Sequence, residues 1–252
     1  MSTLYYKIRG QGKPLVLLHG FLENHQIWDA FAEDLTSKHR IIAFYLPGFG
    51  QSPLVAKSPF TLAEVATEIN QCLREITTEK VDLIGHSLGG YVALAMVEQS
   101  PQFFSSFGLF HSTAYADSTE KKEARTKTID FVQRNGALTF TSNFVPPLFA
   151  NPAHEAVSFV KDLAIQTDQA TVIHYLGAMR DRPDRTNVLQ TFEGPVLFMA
   201  GSKDTVIQPD ALKSQAKISK NAVLKIFEGI GHMGMFEAPQ ETLACLTEFL
   251  EG

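Results

Sequence analysis

Short runs of almost unbroken apolar character recur along the chain: Leu15–His19, Ile41–Leu46, Val81–Gly85, Phe107–Phe110, Val196–Ala200 and Val223–Phe227. Runs that are apolar throughout, rather than at alternate positions, suit strands buried on both faces, as in a parallel sheet covered by helices. Ahead of them, Leu4–Ile8 is followed by Arg9-Gly10-Gln11-Gly12, and this glycine-rich turn predicts an antiparallel hairpin with the first run. Between the runs the period becomes helical. Leu62–Ile76 places Leu62, Val65, Ile69, Cys72, Leu73 and Ile76 on one face, and Thr61 with Glu64 has the spacing of a capping box. Leu88–Val97 is apolar almost all round, as expected of a helix enclosed by its neighbours. Ala238–Leu250 carries Leu243, Leu246, Phe249 and Leu250 on one side, and Pro239 suits a first helical turn.

The alternation breaks between about residues 114 and 190. That stretch has helical periodicity, as at Val172, Ile173, Leu176 and Met179, and is punctuated by Pro146-Pro147 and Asn151-Pro152. The expected architecture is α/β: a mostly parallel central sheet with helices on both faces. Residues 1–113 and 191–252 form its core, and residues 114–190 form a helical cap inserted over the end that carries the chemistry.

Composition narrows the function. The 252 residues are 44% hydrophobic, enough to bury a large core, and α/β folds of this length commonly form one unit. The 22 basic and 27 acidic residues give a net charge of -5 with no basic stripe, which argues against a nucleic-acid partner. Cys72 and Cys245 lie in helical segments and read as buried thiols rather than a disulfide framework. The opening Met1-Ser2-Thr3-Leu4-Tyr5-Tyr6-Lys7 lacks a basic segment leading into an apolar one, and no apolar run is long enough for a membrane span. A cytoplasmic location is the expectation.

The chemistry starts at Val81-Asp82-Leu83-Ile84-Gly85-His86-Ser87-Leu88-Gly89-Gly90: an apolar strand, a G-x-S-x-G motif and a helix. Turning from strand to helix so abruptly forces the central serine into a strained conformation. Side chains at positions 85 and 89 would collide across the bend, so glycine occupies both. Ser87 is thereby expected above the sheet, at a helix N-terminus whose N–H groups favour developing negative charge.

With Leu17-Leu18-His19-Gly20-Phe21 after the first run and Leu46-Pro47-Gly48-Phe49-Gly50 after the second, the chain resembles the α/β-hydrolase family over nearly its whole length apart from the insertion. Relatives usually carry aspartate where this chain has Tyr45. The resemblance implies an oxyanion hole formed by the backbone N–H groups of Phe21 and Leu88. It also implies a catalytic histidine after the last strand, which is His232 in Glu228-Gly229-Ile230-Gly231-His232-Met233.

A serine hydroxyl needs a base, and histidine suits that task near neutral pH. The base needs a carboxylate to hold its tautomer. Asp204 follows the strand end at Val196–Ala200, and the order Ser87, Asp204, His232 is that of the family. Asp117, after Phe107–Phe110, is the rival acid. Of the other histidines, His86 is expected to pack beside the pocket, His19 to bond the main chain of its loop, and His111 to end a strand near the pocket. His25, His39, His154 and His174 are expected at the surface or in cap packing. No His-x-x-x-His pairing is present and the two cysteines lie far apart, so no metal is expected, and the mechanism these residues imply needs no cofactor.

The expected reaction is hydrolysis of small, largely apolar carboxylic esters, with lactones and thioesters chemically close, and the chain resembles small esterases and enol-lactonases. Alternatives on the same scaffold are C–C bond hydrolysis of a diketone-like substrate, a cofactor-free lyase or synthase, and a small-molecule receptor with a retained triad. Dehalogenase and epoxide hydrolase chemistry is disfavoured because those relatives use aspartate at the place of Ser87. Phe131, Phe140, Phe144, Phe149, Phe159 and Tyr175 are expected mainly as cap core, and Arg180-Asp181-Arg182-Pro183-Asp184-Arg185 as a solvated helix end.

Overall fold

The structure, a computed structural model, describes residues 4–54 and 59–252. Residues 1–3, where the expected absence of a leader begins, lie outside the described residues. Strands β1 (Tyr6–Arg9), β2 (Lys13–Leu18), β3 (His39–Phe44), β4 (Val81–His86), β5 (Phe104–Phe110), β6 (Val196–Gly201) and β7 (Ala222–Phe227) form one sheet in the order β1-β3-β2-β4-β5-β6-β7. All the apolar runs are strands, and β2 through β7 are mutually parallel. Every residue of β4 and β6 is buried, as expected of strands covered on both faces.

The hairpin is not formed. β1 pairs antiparallel with β3, not with β2, because both edges of β2 are taken by parallel neighbours, β3 and β4. The turn instead crosses the start of β3: a Cβ on Gly10 would stand 2.4 Å from the His39 carbonyl oxygen, at φ +76°. Local turn chemistry was right and the partner was wrong.

The helices are α1 (Asp29–Glu33), α2 (Leu62–Ile76), α3 (Leu88–Gln99), α4 (Thr119–Asn135), α5 (Leu138–Phe144), α6 (Ala156–Ala164), α7 (Gln169–Arg180), α8 (Thr186–Thr191), α9 (Pro209–Ala216), α10 (Gly234–Glu237) and α11 (Pro239–Glu251). The Thr61–Glu64 capping box on α2 is formed in both directions. α3 is buried along its first ten residues. Between β5 and β6 the chain runs through α4 to α8 with no strand among the described residues. Only Val132 of α4 is buried, while α7 packs against it.

The Arg180–Arg185 segment departs from expectation. Arg182 and Arg185 are buried: Arg182 pairs with Asp117 at 2.8 Å and lies over the Tyr91 ring, and Arg185 pairs with Glu98 at 2.9 Å. Burial of two guanidinium groups is sustained because each has a carboxylate partner. His25 and His39 are likewise buried rather than at the surface. No helix of the described residues is long and apolar enough to cross a membrane.

Candidate active site

The sheet order reverses direction between β2 and β4: the chain passes from β2 outward to β3, then returns past β2 to β4. Crevices at the carboxyl ends of strands flanking such a reversal are the usual ligand sites of open α/β sheets. Phe21 follows β2 and Ser87 follows β4, so both stand at that crevice. Asp204 follows β6 and His232 follows β7 at the same end.

Ser87 has φ +50° and ψ -112°, a conformation costly for a residue with a side chain. It is held there by hydrogen bonds of its main chain. Its N–H donates to the Phe110 carbonyl at 3.0 Å, and its own carbonyl accepts from the Ser112 hydroxyl at 2.7 Å and the Gly90 N–H at 3.0 Å. The motif glycines answer to different neighbours. A Cβ on Gly85 would lie 2.3 Å from the Gly89 carbonyl oxygen, across the bend, whereas one on Gly89 would lie 2.4 Å from the Leu18 carbonyl oxygen of β2. Gly89 therefore serves the close approach of α3 to the end of β2, not the bend itself.

His232 Nδ1 stands 2.8 Å from Asp204 Oδ2, and both side chains are buried. Because the carboxylate only accepts, His232 Nδ1 carries the proton of this contact, and Nε2 lies on the far side of the ring. Asp204 Oδ1 accepts from the Val206 and Ile207 N–H groups at 2.8 and 2.9 Å. Burial opposes its ionisation, but the His232 interaction and the imidazole hydrogen bonds hold its carboxyl far below the ordinary carboxylate range. Among the described residues no hydrogen bond joins the Ser87 hydroxyl to His232. Contacts of this kind commonly tighten only when substrate is bound.

A second histidine shares the acid. His111 Nδ1 donates to the same Asp204 Oδ2 at 3.0 Å, its backbone is at φ +50°, and its Nε2 is buried without a partner. Burial lowers its pKa to about 4, so the ring is neutral. His111, Asp204 and His232 place one nitrogen or oxygen each within 4.8 Å of one another. The separations of 2.8 and 3.0 Å are hydrogen-bond lengths, so one carboxylate oxygen serves both imidazoles. Asp117, the rival acid, is committed elsewhere: it faces Arg125 at 2.5 Å and Arg182 at 2.8 Å.

The N–H groups of Phe21 and Leu88 are buried, and among the described residues neither donates a hydrogen bond. Buried N–H groups left unpaired are uncommon and ask for an explanation. The Phe21 ring is covered by Phe144, Phe140 and Phe49, at centroid distances of 5.5, 6.4 and 6.4 Å. Of the other aromatic residues of the insertion, Phe131 and Phe159 are exposed, and Tyr175 packs between Phe49 and Phe60. His19 bridges two loops: its Nδ1–H donates to the Gly20 carbonyl at 2.8 Å and its Nε2 accepts from the Leu46 N–H at 3.0 Å. Burial lowers its pKa to about 4, in keeping with the neutral ring those bonds require.

Sequence reasoning missed three supporting residues. Glu23 accepts the Gly20 N–H at 2.6 Å and faces His86 Nδ1 at 2.9 Å. Glu237 accepts from the N–H groups of Ala150, Gly231 and Met233, while the His232 N–H donates to the Leu148 carbonyl at 2.7 Å, so the insertion is tied to the His232 loop. Gln215 caps the Ala114 N–H at 2.6 Å. Glu237, set between Phe236 and Ala238, stood out in sequence only as a charge among apolar neighbours, and Glu23 and Gln215 carried no local signal.

A family model described as the alpha/beta hydrolase fold matches residues 13–123. The fold is similar to that of a thermophilic esterase from Thermogutta terrifontis, with a TM-score of 0.91 and 26% identity over 98% of this chain and 93% of that one. Lipase 1 of Psychrobacter immobilis is 24% identical over 243 residues, 92% of this chain and 74% of its own length. A pimeloyl-[acyl-carrier protein] methyl ester esterase of Aeromonas hydrophila is 39% identical over 93 residues, 37% of this chain and 35% of that protein. Strand order, the strained strand-to-helix turn and these likenesses agree: the chain has the α/β-hydrolase fold and is similar to members of that family.

Proposed function

We propose that this chain is a serine hydrolase that cleaves carboxylic esters of small, largely apolar substrates through an acyl-enzyme intermediate. Ser87 Oγ attacks the acyl carbonyl while His232 Nε2 takes its proton. Asp204 holds the tautomer that leaves Nε2 bare and stabilises the imidazolium that forms. The Phe21 and Leu88 N–H groups receive the oxyanion, each contributing about 3 kcal/mol of barrier lowering. His232 returns the proton to the departing alcohol, then activates a water that releases the acid. No cofactor enters these steps.

The observation that carries this reading is the pair of buried main-chain N–H groups without acceptors, one of them next in sequence to the strained Ser87. Nothing in a purely structural turn requires two unsatisfied donors. Esterases and lipases among the similar proteins support the ester as substrate. The rings of Phe140 and Phe144 on Phe21 support a small apolar acyl group. The test is turnover of para-nitrophenyl esters of increasing acyl length, with fluorophosphonate labelling of the wild type. Labelling at Ser87 and loss of turnover in Ser87→Ala and His232→Ala are expected. Turnover that survives Ser87→Ala, or ligand binding with no turnover in the wild type, would overturn the reading.

A further inference from the structure

His86 precedes Ser87, is fully buried, and takes no part in the steps above. Its surroundings are nevertheless specific. Nδ1 lies 2.9 Å from Glu23 Oε2, and Nε2 lies 3.0 Å from the main-chain carbonyl oxygen of His232. A carbonyl oxygen only accepts, and so does an ionised carboxylate. A neutral imidazole has one N–H and would turn a lone pair toward one of these oxygens. Both contacts are satisfied at once when the ring carries two protons and Glu23 is ionised. Glu23 Oε2 also accepts the Gly20 N–H at 2.6 Å, as an ionised carboxylate does well.

The pair sits where three loops meet. A Cβ on Gly20 would stand 2.6 Å from Glu23 Oε2 and 2.7 Å from His86 Nδ1, so a side chain there would displace the pair. Gly20 immediately precedes Phe21. On the other side, the His232 main chain is gripped at both ends: its carbonyl by His86 and its N–H by Leu148.

We propose that Glu23 and His86 form a buried ion pair that positions the Phe21 N–H and the His232 ring about Ser87, with His86 held as an imidazolium; as a statement about catalysis this rests on the serine-hydrolase reading. Both are positioning residues, since neither reaches the reacting atoms. Burial alone would drive the charge off the ring, but the Glu23 charge and hydrogen bond outweigh it and raise the pKa of His86. Burial also opposes ionisation of Glu23, and His86 reverses that. The other titratable groups facing His86 are His19, His111, His232 and Asp204. His19 and His111 are neutral by burial, and Asp204 adds a favourable charge.

The sign follows. A histidine raised on folding contributes its stabilisation fully below its unfolded value and loses it as pH rises through the folded one. The clamp therefore loosens on the alkaline side.

The experiment is ring nitrogen NMR of the 15N-histidine-labelled full chain, correlated to the backbone, together with pH profiles of ester turnover. In the wild type at neutral pH both His86 nitrogens are expected at imidazolium shifts. In Glu23→Gln the ring is expected to become neutral, kcat to fall by up to about 10²-fold from misplaced groups while KM moves much less, and the alkaline loss of activity to begin at lower pH. Glu23→Gln is close in shape, so a folded variant is expected, and the wild-type spectrum decides even if it does not fold. A His86 ring with one bare nitrogen at neutral pH would overturn the proposal, as would wild-type kcat and pH profile in folded Glu23→Gln. Absence of ester turnover in the wild type would strike the hydrolase reading and, with it, the catalytic purpose of the pair; the ring spectrum would still decide its charge.

Discussion

Asp204→Asn changes the proton logic of the site while keeping its shape. The carboxylate accepts four hydrogen bonds: Val206 and Ile207 N–H on Oδ1, and His232 and His111 Nδ1 on Oδ2. If the new amide oxygen keeps the two main-chain donors, its NH2 faces both imidazoles. His232 must then accept through Nδ1 and carry its proton on Nε2, where it cannot take a proton from Ser87. In a Ser-His-Asp constellation that tautomer error costs about 10⁴-fold in kcat, or about 5 kcal/mol of barrier. His111 suffers the same switch, and its Nε2 has no partner. A buried donor without an acceptor costs about 1–3 kcal/mol, so the melting temperature should fall as well. The opposite amide orientation would set NH2 against the Val206 and Ile207 N–H groups, donor facing donor, and is disfavoured. The assay is kcat on para-nitrophenyl acetate beside thermal unfolding, with Asp117→Asn as control. Asp117 is paired with Arg125 and Arg182, so its loss should lower unfolding free energy by about 3–5 kcal/mol with kcat little changed. Folded Asp204→Asn with kcat within about tenfold of wild type would refute the assignment, since it would put the tautomer penalty below about 1.4 kcal/mol.

Three further outcomes follow from other parts of the molecule. His19 and His111 are each lowered from 6.5 to about 4, so between those values the unfolded chain binds protons that the folded chain refuses. Stability should therefore drop on acidification through that window, by up to about 3 kcal/mol per group, and urea midpoints measured across it check this. Glu237→Ala should free the Ala150, Gly231 and Met233 N–H groups, raising hydrogen exchange there and lowering kcat by loosening the His232 loop. Gly177→Ala, in the interior of α7 with nothing within 4 Å of the added carbon, should raise unfolding free energy by about 1 kcal/mol in chemical denaturation.

What could be read from the sequence was what depends on neighbours in sequence. The strands were legible because burial on both faces leaves a continuous apolar run, and α2 because its cap and its 3.6 period lie within one segment. The mispaired hairpin shows the limit: a turn fixes where the chain bends, but the partner of β1 depends on which strand edge the whole sheet leaves open. Arg182 looked solvated because charge runs usually are, and its burial depends on Asp117 and the Tyr91 ring, both remote in sequence. Ser87 announced itself through a local motif. His111 and Glu23 did not, because each is defined by a partner 93 or 63 positions away.

The charges at this mouth bear on why the proposed reaction would run in a buried place. Glu23 and His86 cancel one another within 2.9 Å, and His19 and His111 are neutral. Of the groups in direct contact around His232, that leaves Asp204 as the uncompensated charge, held ionised by donors that cannot leave. A proton moving from Ser87 to His232 creates the cation that Asp204 lacks, beside a carboxylate already desolvated, so the charge separation that opposes serine ionisation in water is here partly a charge neutralisation. The second imidazole sharpens the point. By donating to the same oxygen, His111 stabilises the bare carboxylate without adding positive charge, so Asp204 stays ionised in the resting state and still has a full charge to offer when His232 becomes a cation. A second positive histidine would have spent that attraction before the reaction began.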